Sequence, residues 1–124
     1  QSRGRIGRGI ARHLRYRMAR SWGVYIAGAA KVGRVTFPHP TGIVIGNHAV
    51  IEDYVTIYQQ VTIGAVSVGA LKYPVIRQGA VLYAGATIIG DVEIGQDAVV
   101  GANSVVLADV PPGATAVGAP AMVH

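Results

Sequence analysis

From Ile76 to Pro111 the chain reads, in groups of six, IRQGAV, LYAGAT, IIGDVE, IGQDAV, VGANSV and VLADVP. Every group opens on an aliphatic residue: Ile76, Leu82, Ile88, Ile94, Val100 and Val106. The fifth place is as restricted, holding Ala80, Ala86, Val92, Ala98, Ser104 and Val110, all small or β-branched. A period of six fits neither the 3.6 of an amphipathic helix nor the two of an alternating strand. It predicts short strands separated by turns, three to a coil, stacked into an all-β parallel β-helix of triangular section. The aliphatic residue of each group points into the prism, and the small residue sits where a bulkier one would strike the coil above. One Trp and one Phe suit so narrow an interior. A sandwich of alternating strands would not hold the same phase over consecutive groups.

The phase begins faintly at Ile26 and Val32. It resumes at Ile45, Ile51, Ile57 and Ile63, with Ala49, Val55 and Val61 in the small place. Thirteen residues separate Val32 from Ile45, and thirteen separate Ile63 from Ile76, in each case two groups plus one. The first interruption contains Phe37-Pro38-His39-Pro40-Thr41-Gly42 and the second contains VSVGALKYP. Segments extruded from a rigid scaffold commonly carry binding and catalysis, so chemistry is expected at these two places. Pro111 and Pro112 are expected to send the chain off the stack as a terminal cap.

With 124 residues the chain has room for one principal domain. The organisation expected is a basic amphipathic helix over residues 1–22 and the β-helix with its cap over residues 23–124. The absence of Cys excludes disulfides, thiolate catalysis and cysteine metal sites. Charge is divided unevenly: residues 1–34 carry nine basic side chains and no acid, whereas residues 35–124 carry two basic and six acidic ones. Ile6, Ile10, Leu14 and Met18 recur every fourth residue, one stripe on a helix with arginines around it. Such a helix can pack its stripe on protein, or residues 1–20 can lie on an anionic membrane surface. Nucleic acid is not expected as a partner, because no stacking aromatics or binding motif accompany the arginines. No apolar run reaches the roughly 18 to 20 residues of a membrane span. The expected location is cytoplasmic, at the inner membrane face if the helix meets lipid.

HPTGIVIGNHAVIEDYVTIYQQVTIG, followed by the second interruption, the hexads and VLADVPPGATAVGAPA, resembles the hexapeptide-repeat acyltransferases, and within them the serine acetyltransferase branch, over about residues 24–123. The resemblance implies a left-handed β-helix, a homotrimer with active sites between neighbouring subunits, and acetyl-CoA as co-substrate lying along the coils. By motif match the family's general base falls on His39. Its neutral imidazole would take the proton of an acceptor hydroxyl as the oxygen attacks the thioester, then return it to the departing thiolate. Gly64, Ala65, Ala84, Gly85 and Ala102 fall where relatives run the CoA, and Arg77 or Lys72 would meet its phosphates. No metal is implied: the histidine carbonic anhydrases of this architecture use a closer spacing than the nine residues from His39 to His48.

Three positions depart from the serine acetyltransferase pattern. Pro38 stands where an Asp precedes the catalytic His, Tyr73 replaces a second active-site His before a Pro, and Tyr25 replaces an acid ahead of Ala-Ala-Lys. These losses point to an uncharged acceptor. The resemblance is then to the acetyltransferases of surface-polysaccharide biosynthesis, with Tyr73, Tyr58, Gln59, Gln60 and also Tyr83 lining a sugar site. The expected function is thus transfer of acetyl from acetyl-CoA to a hydroxyl of a sugar or polysaccharide precursor. The alternatives are serine O-acetyltransferase of cysteine biosynthesis and a non-enzymatic trimeric scaffold that presents its basic helix.

Overall fold

Each turn of the six-residue repeat places one aliphatic side chain inward, and stacking the coils lines these into columns. The computed structural model describes residues 23–124, so the helix expected over residues 1–22 lies outside the described residues. Fourteen short strands follow in order: β1 Val24–Ile26, β2 Lys31–Val32, β3 Ile43–Ile45, β4 Val50–Ile51, β5 Thr56–Ile57, β6 Thr62–Gly64, β7 Val75–Ile76, β8 Val81–Leu82, β9 Thr87–Ile89, β10 Glu93–Ile94, β11 Val99–Val100, β12 Val105–Val106, β13 Thr115–Gly118 and β14 Ala121–Val123. They form three walls. The first runs β1-β3-β6-β9-β12, the second β2-β4-β7-β10, and the third β5-β8-β11-β13-β14. All pairings are parallel except β13 with β14. This is the parallel β-helix that the period predicts.

The two restricted places of the hexad form the core. Ile76, Leu82, Ile88, Ile94 and Val100 are fully buried, as are Ala80, Ala86, Ala98 and Ser104. Ile45, Ile57 and Ile63 join the same interior. Burying each of the larger side chains contributes roughly 1.5–3 kcal/mol relative to exposure. Outward residues distinguish the walls. Tyr25, Val44, Thr62, Thr87 and Val105 stand in register on the first wall, without a charge. On the second, Arg77 bridges Glu52 at 3.2 Å and Glu93 at 2.7 Å.

The two interruptions are unlike in structure. In the first, Thr36 keeps a strand position opposite Thr56, and Phe37 packs against the core at the following place. The extra length is absorbed at the corner that follows, so His39 stands on a widened corner and not on a loop leaving the stack. The second is a true extrusion between β6 and β7, with Val66, Val68 and Leu71 exposed. The C-terminal expectation needs a similar correction. Beyond Pro111 and Pro112 the chain regains the third wall as β13, parallel to β11, and only β14 turns back against it. Gly95 permits this, because a Cβ there would collide with the backbone of the two prolines.

Candidate active site

Two prolines restrict the backbone on either side of His39, and the turn is closed by Thr41 N–H donating to the His39 carbonyl at 2.8 Å. The imidazole is exposed at the corner between the third and first walls. That corner is tied to the next coil by Gln60 N–H donating to Thr41 C=O at 2.9 Å. Gly42 has φ near +65°, and the Gln60 amide lies so close over it that a side chain there would be displaced. Below His39, the ring of Tyr58 lies 6.2 Å away, centroid to centroid, tilted by 46°. Tyr58 in turn stacks on Tyr83 at 5.1 Å and 16°.

Down the same edge the turns superpose. Gly85 N–H donates to Gln59 C=O and Asn103 N–H to Ala84 C=O, so Gln59, Ala84, Gly85 and Ala102 occupy successive turns beneath the histidine. With coils spaced roughly 4.8 Å apart, Ala84, Gly85 and Ala102 leave a straight edge along which an extended ligand can lie. The side-chain carbonyl of Gln59 is buried and has no hydrogen-bond partner among the described residues.

The remaining sequence-predicted residues stand elsewhere in the chain. Gly64, Ala65 and Tyr73 lie at the corner between the first and second walls. There the Tyr73 ring packs on Gly46, where a Cβ would fall 2.5 Å from its Cε1, and meets His48 edge-on at 5.6 Å. Lys72 and Asp91, both exposed, pair at 3.4 Å near this corner. Arg77 belongs to the second wall, where Glu93 first and Glu52 second hold its guanidinium charged more firmly than usual. One chain thus gathers His39, Tyr58, Tyr83, Gln59, Gln60, Ala84, Gly85 and Ala102, and keeps Gly64, Ala65, Tyr73 and Arg77 apart from them. The His48–Tyr73 contact and the Lys72–Asp91 pair escape the sequence reading. Among the described residues no cluster of His, Asp and Glu could hold a metal ion, and no helix is long and apolar enough to cross a membrane.

The repeat and its walls define a class. Residues 73–108 match the family described as bacterial transferase hexapeptide (six repeats), so this stretch carries the repeat of that family. More particularly, it is 46% identical over 118 residues to the serine acetyltransferase of Salmonella typhimurium, covering 94% of this chain and 43% of that protein. A soybean serine acetyltransferase determined in complex with serine superposes with a TM-score of 0.87 at 46% identity, over 94% of this chain and 49% of the other. A Brucella abortus serine acetyltransferase in complex with coenzyme A does so with a TM-score of 0.86 at 38% identity, over 93% and 47%. The chain therefore spans a little under half the length of these relatives.

These relatives overturn the expected sugar or polysaccharide acceptor. That expectation rests on Pro38, Tyr73 and Tyr25, three positions in a chain whose similarity to serine acetyltransferases extends over 94% of its length. The chain also keeps charges near Tyr73: Lys72 precedes it and pairs with Asp91 at 3.4 Å.

Proposed function

We propose that this chain is the catalytic β-helix of a serine O-acetyltransferase, moving acetyl from acetyl-CoA to the side-chain hydroxyl of serine. The observation that carries the reading is His39, exposed on a proline-flanked corner in a chain 46% identical to a serine acetyltransferase. His39 acts as general base: it accepts the hydroxyl proton as the serine oxygen attacks the thioester carbonyl. The protonated ring then donates to the CoA sulfur as the tetrahedral intermediate collapses. The edge of Gln59, Ala84, Gly85 and Ala102 is the wall for the CoA arm.

The site is completed between copies. The first wall has the His39 corner at one edge and the Tyr73 corner at the other. Three chains with this uncharged wall toward a common axis would set His39 of each against Tyr73, Lys72 and Asp91 of the next. Such an interface is heterologous and closes as a ring of three. Serine is a zwitterion, and the Lys72 ammonium and Asp91 carboxylate offer partners for its carboxylate and ammonium.

The test is release of free thiol from acetyl-CoA with and without L-serine. Serine-dependent release is expected, and His39→Ala should lower kcat by roughly a hundredfold or more. Release that serine does not stimulate, or that the substitution leaves intact, refutes the reading.

A further inference from the structure

Among the described residues none of the chain's six acidic side chains pairs with His39. Glu52 and Glu93 hold Arg77. Asp53 accepts the Arg34 N–H at 2.8 Å, and Asp109 accepts the Glu93 N–H at 2.8 Å. Asp91 pairs with Lys72, and Asp97 lies over Gly79. Pro38, immediately before the histidine, supplies no acid either. Among the described residues of its own chain, the imidazole has no hydrogen-bond partner that would fix its rotation.

What the ring does meet is an aromatic platform. Tyr58 lies against it, and Tyr83 supports Tyr58 from below in a nearly parallel stack. The backbone beneath the platform is held in register by hydrogen bonds on both sides. Ile57 is opposite Leu82, Tyr58 N–H donates to Leu82 C=O at 3.0 Å, and Gly85 N–H donates to Gln59 C=O at 3.0 Å. Tyr58 is half-buried, with one face on Tyr83. Aromatic pairs in offset or tilted geometry favour a restricted set of orientations.

We propose that Tyr58, backed by Tyr83, is the positioning residue for His39, limiting its imidazole rotation by ring contact in place of a hydrogen-bonded carboxylate. The proposal rests on the reading of His39 as the base. It assigns Tyr58 a part in kcat and none in acceptor binding, in contrast to the acceptor-lining role expected from sequence. Misaiming a general base by a fraction of an ångström costs rate without weakening binding.

The experiment combines kinetics with NMR of the full chain. Tyr58→Leu is expected to lower kcat about tenfold while leaving KM for serine and for acetyl-CoA within about twofold, and Tyr58→Phe, which keeps the ring, should restore kcat. In parallel, the His39 Cε1–H resonance, assigned by its disappearance in His39→Ala, should be displaced by the tyrosine ring current. It should move toward the position of an exposed histidine in Tyr58→Leu and stay in place in Tyr58→Phe. A raised KM for serine with kcat unchanged would make Tyr58 an acceptor contact and overturn the proposal. So would a His39 resonance that Tyr58→Leu leaves unmoved. If the wild-type chain does not acetylate serine, the proposed reaction fails, and the resonance alone decides whether Tyr58 holds the ring.

Discussion

Ser104 occupies the fifth place of its hexad, where every other group has Ala or Val, and it is the buried polar side chain among the described residues. Its hydroxyl accepts a hydrogen bond from Gly118 N–H at 3.1 Å, tying the interior to the point where β13 turns into β14. Ser104→Ala leaves that amide without its partner and should cost about 1–2 kcal/mol, read as a lower denaturant midpoint at unchanged slope. From the sequence Ser104 is legible only as a small residue in a small place; its partner lies fourteen positions away, across a turn that the hexad phase does not describe. His39 is legible, because two prolines and a recognisable motif surround it. Its contact with Tyr58 is not, since it depends on how the widened corner settles over the coil below.

At the scale of elements, equal interruptions in sequence produced unequal structures. The hexad count gives thirteen residues for both, but only spatial registry reveals that Thr36 remains on the third wall while residues 65–74 leave the stack. The strands themselves could be read residue by residue, because each inward place repeats the same steric demand. The extruded segment carries Val66, Val68 and Leu71 in the open, so it contributes little to the stability of a single chain. Deleting residues 66–72 brings Ile63 and Ile76 to the regular spacing of six. The shortened chain should fold with a circular dichroism spectrum and melting temperature close to those of the parent, yet lose serine-dependent thiol release, because Lys72 goes with the segment. Failure to fold would show that the segment is structural; full activity would remove the Tyr73 corner from the site.

For the molecule as a whole, the walls divide by chemistry: the charges of the core repeat gather on and beside the second wall, while the first and third are neutral, and only the first has the His39 corner at one edge and the Tyr73 corner at the other. The proposed arrangement turns that wall to a threefold axis, and static light scattering should give a mass near three times the 12.9 kDa of one chain. Substituting Thr62 and Thr87 by Lys puts like charges around the axis and should shift the mass toward one chain. A trimer indifferent to both changes would move the interface to another wall. The coils also differ in how firmly each is held. In an array where a coil touches only its neighbours, opening is local and the ends fray before the middle. Ile26, Val32, Val35 and Phe37 are only partly buried, whereas their counterparts in later coils are fully enclosed. The proposed base thus sits beside a rung less enclosed than the coils that follow it, so a local opening of that rung would misplace His39 while the rest of the stack stays folded.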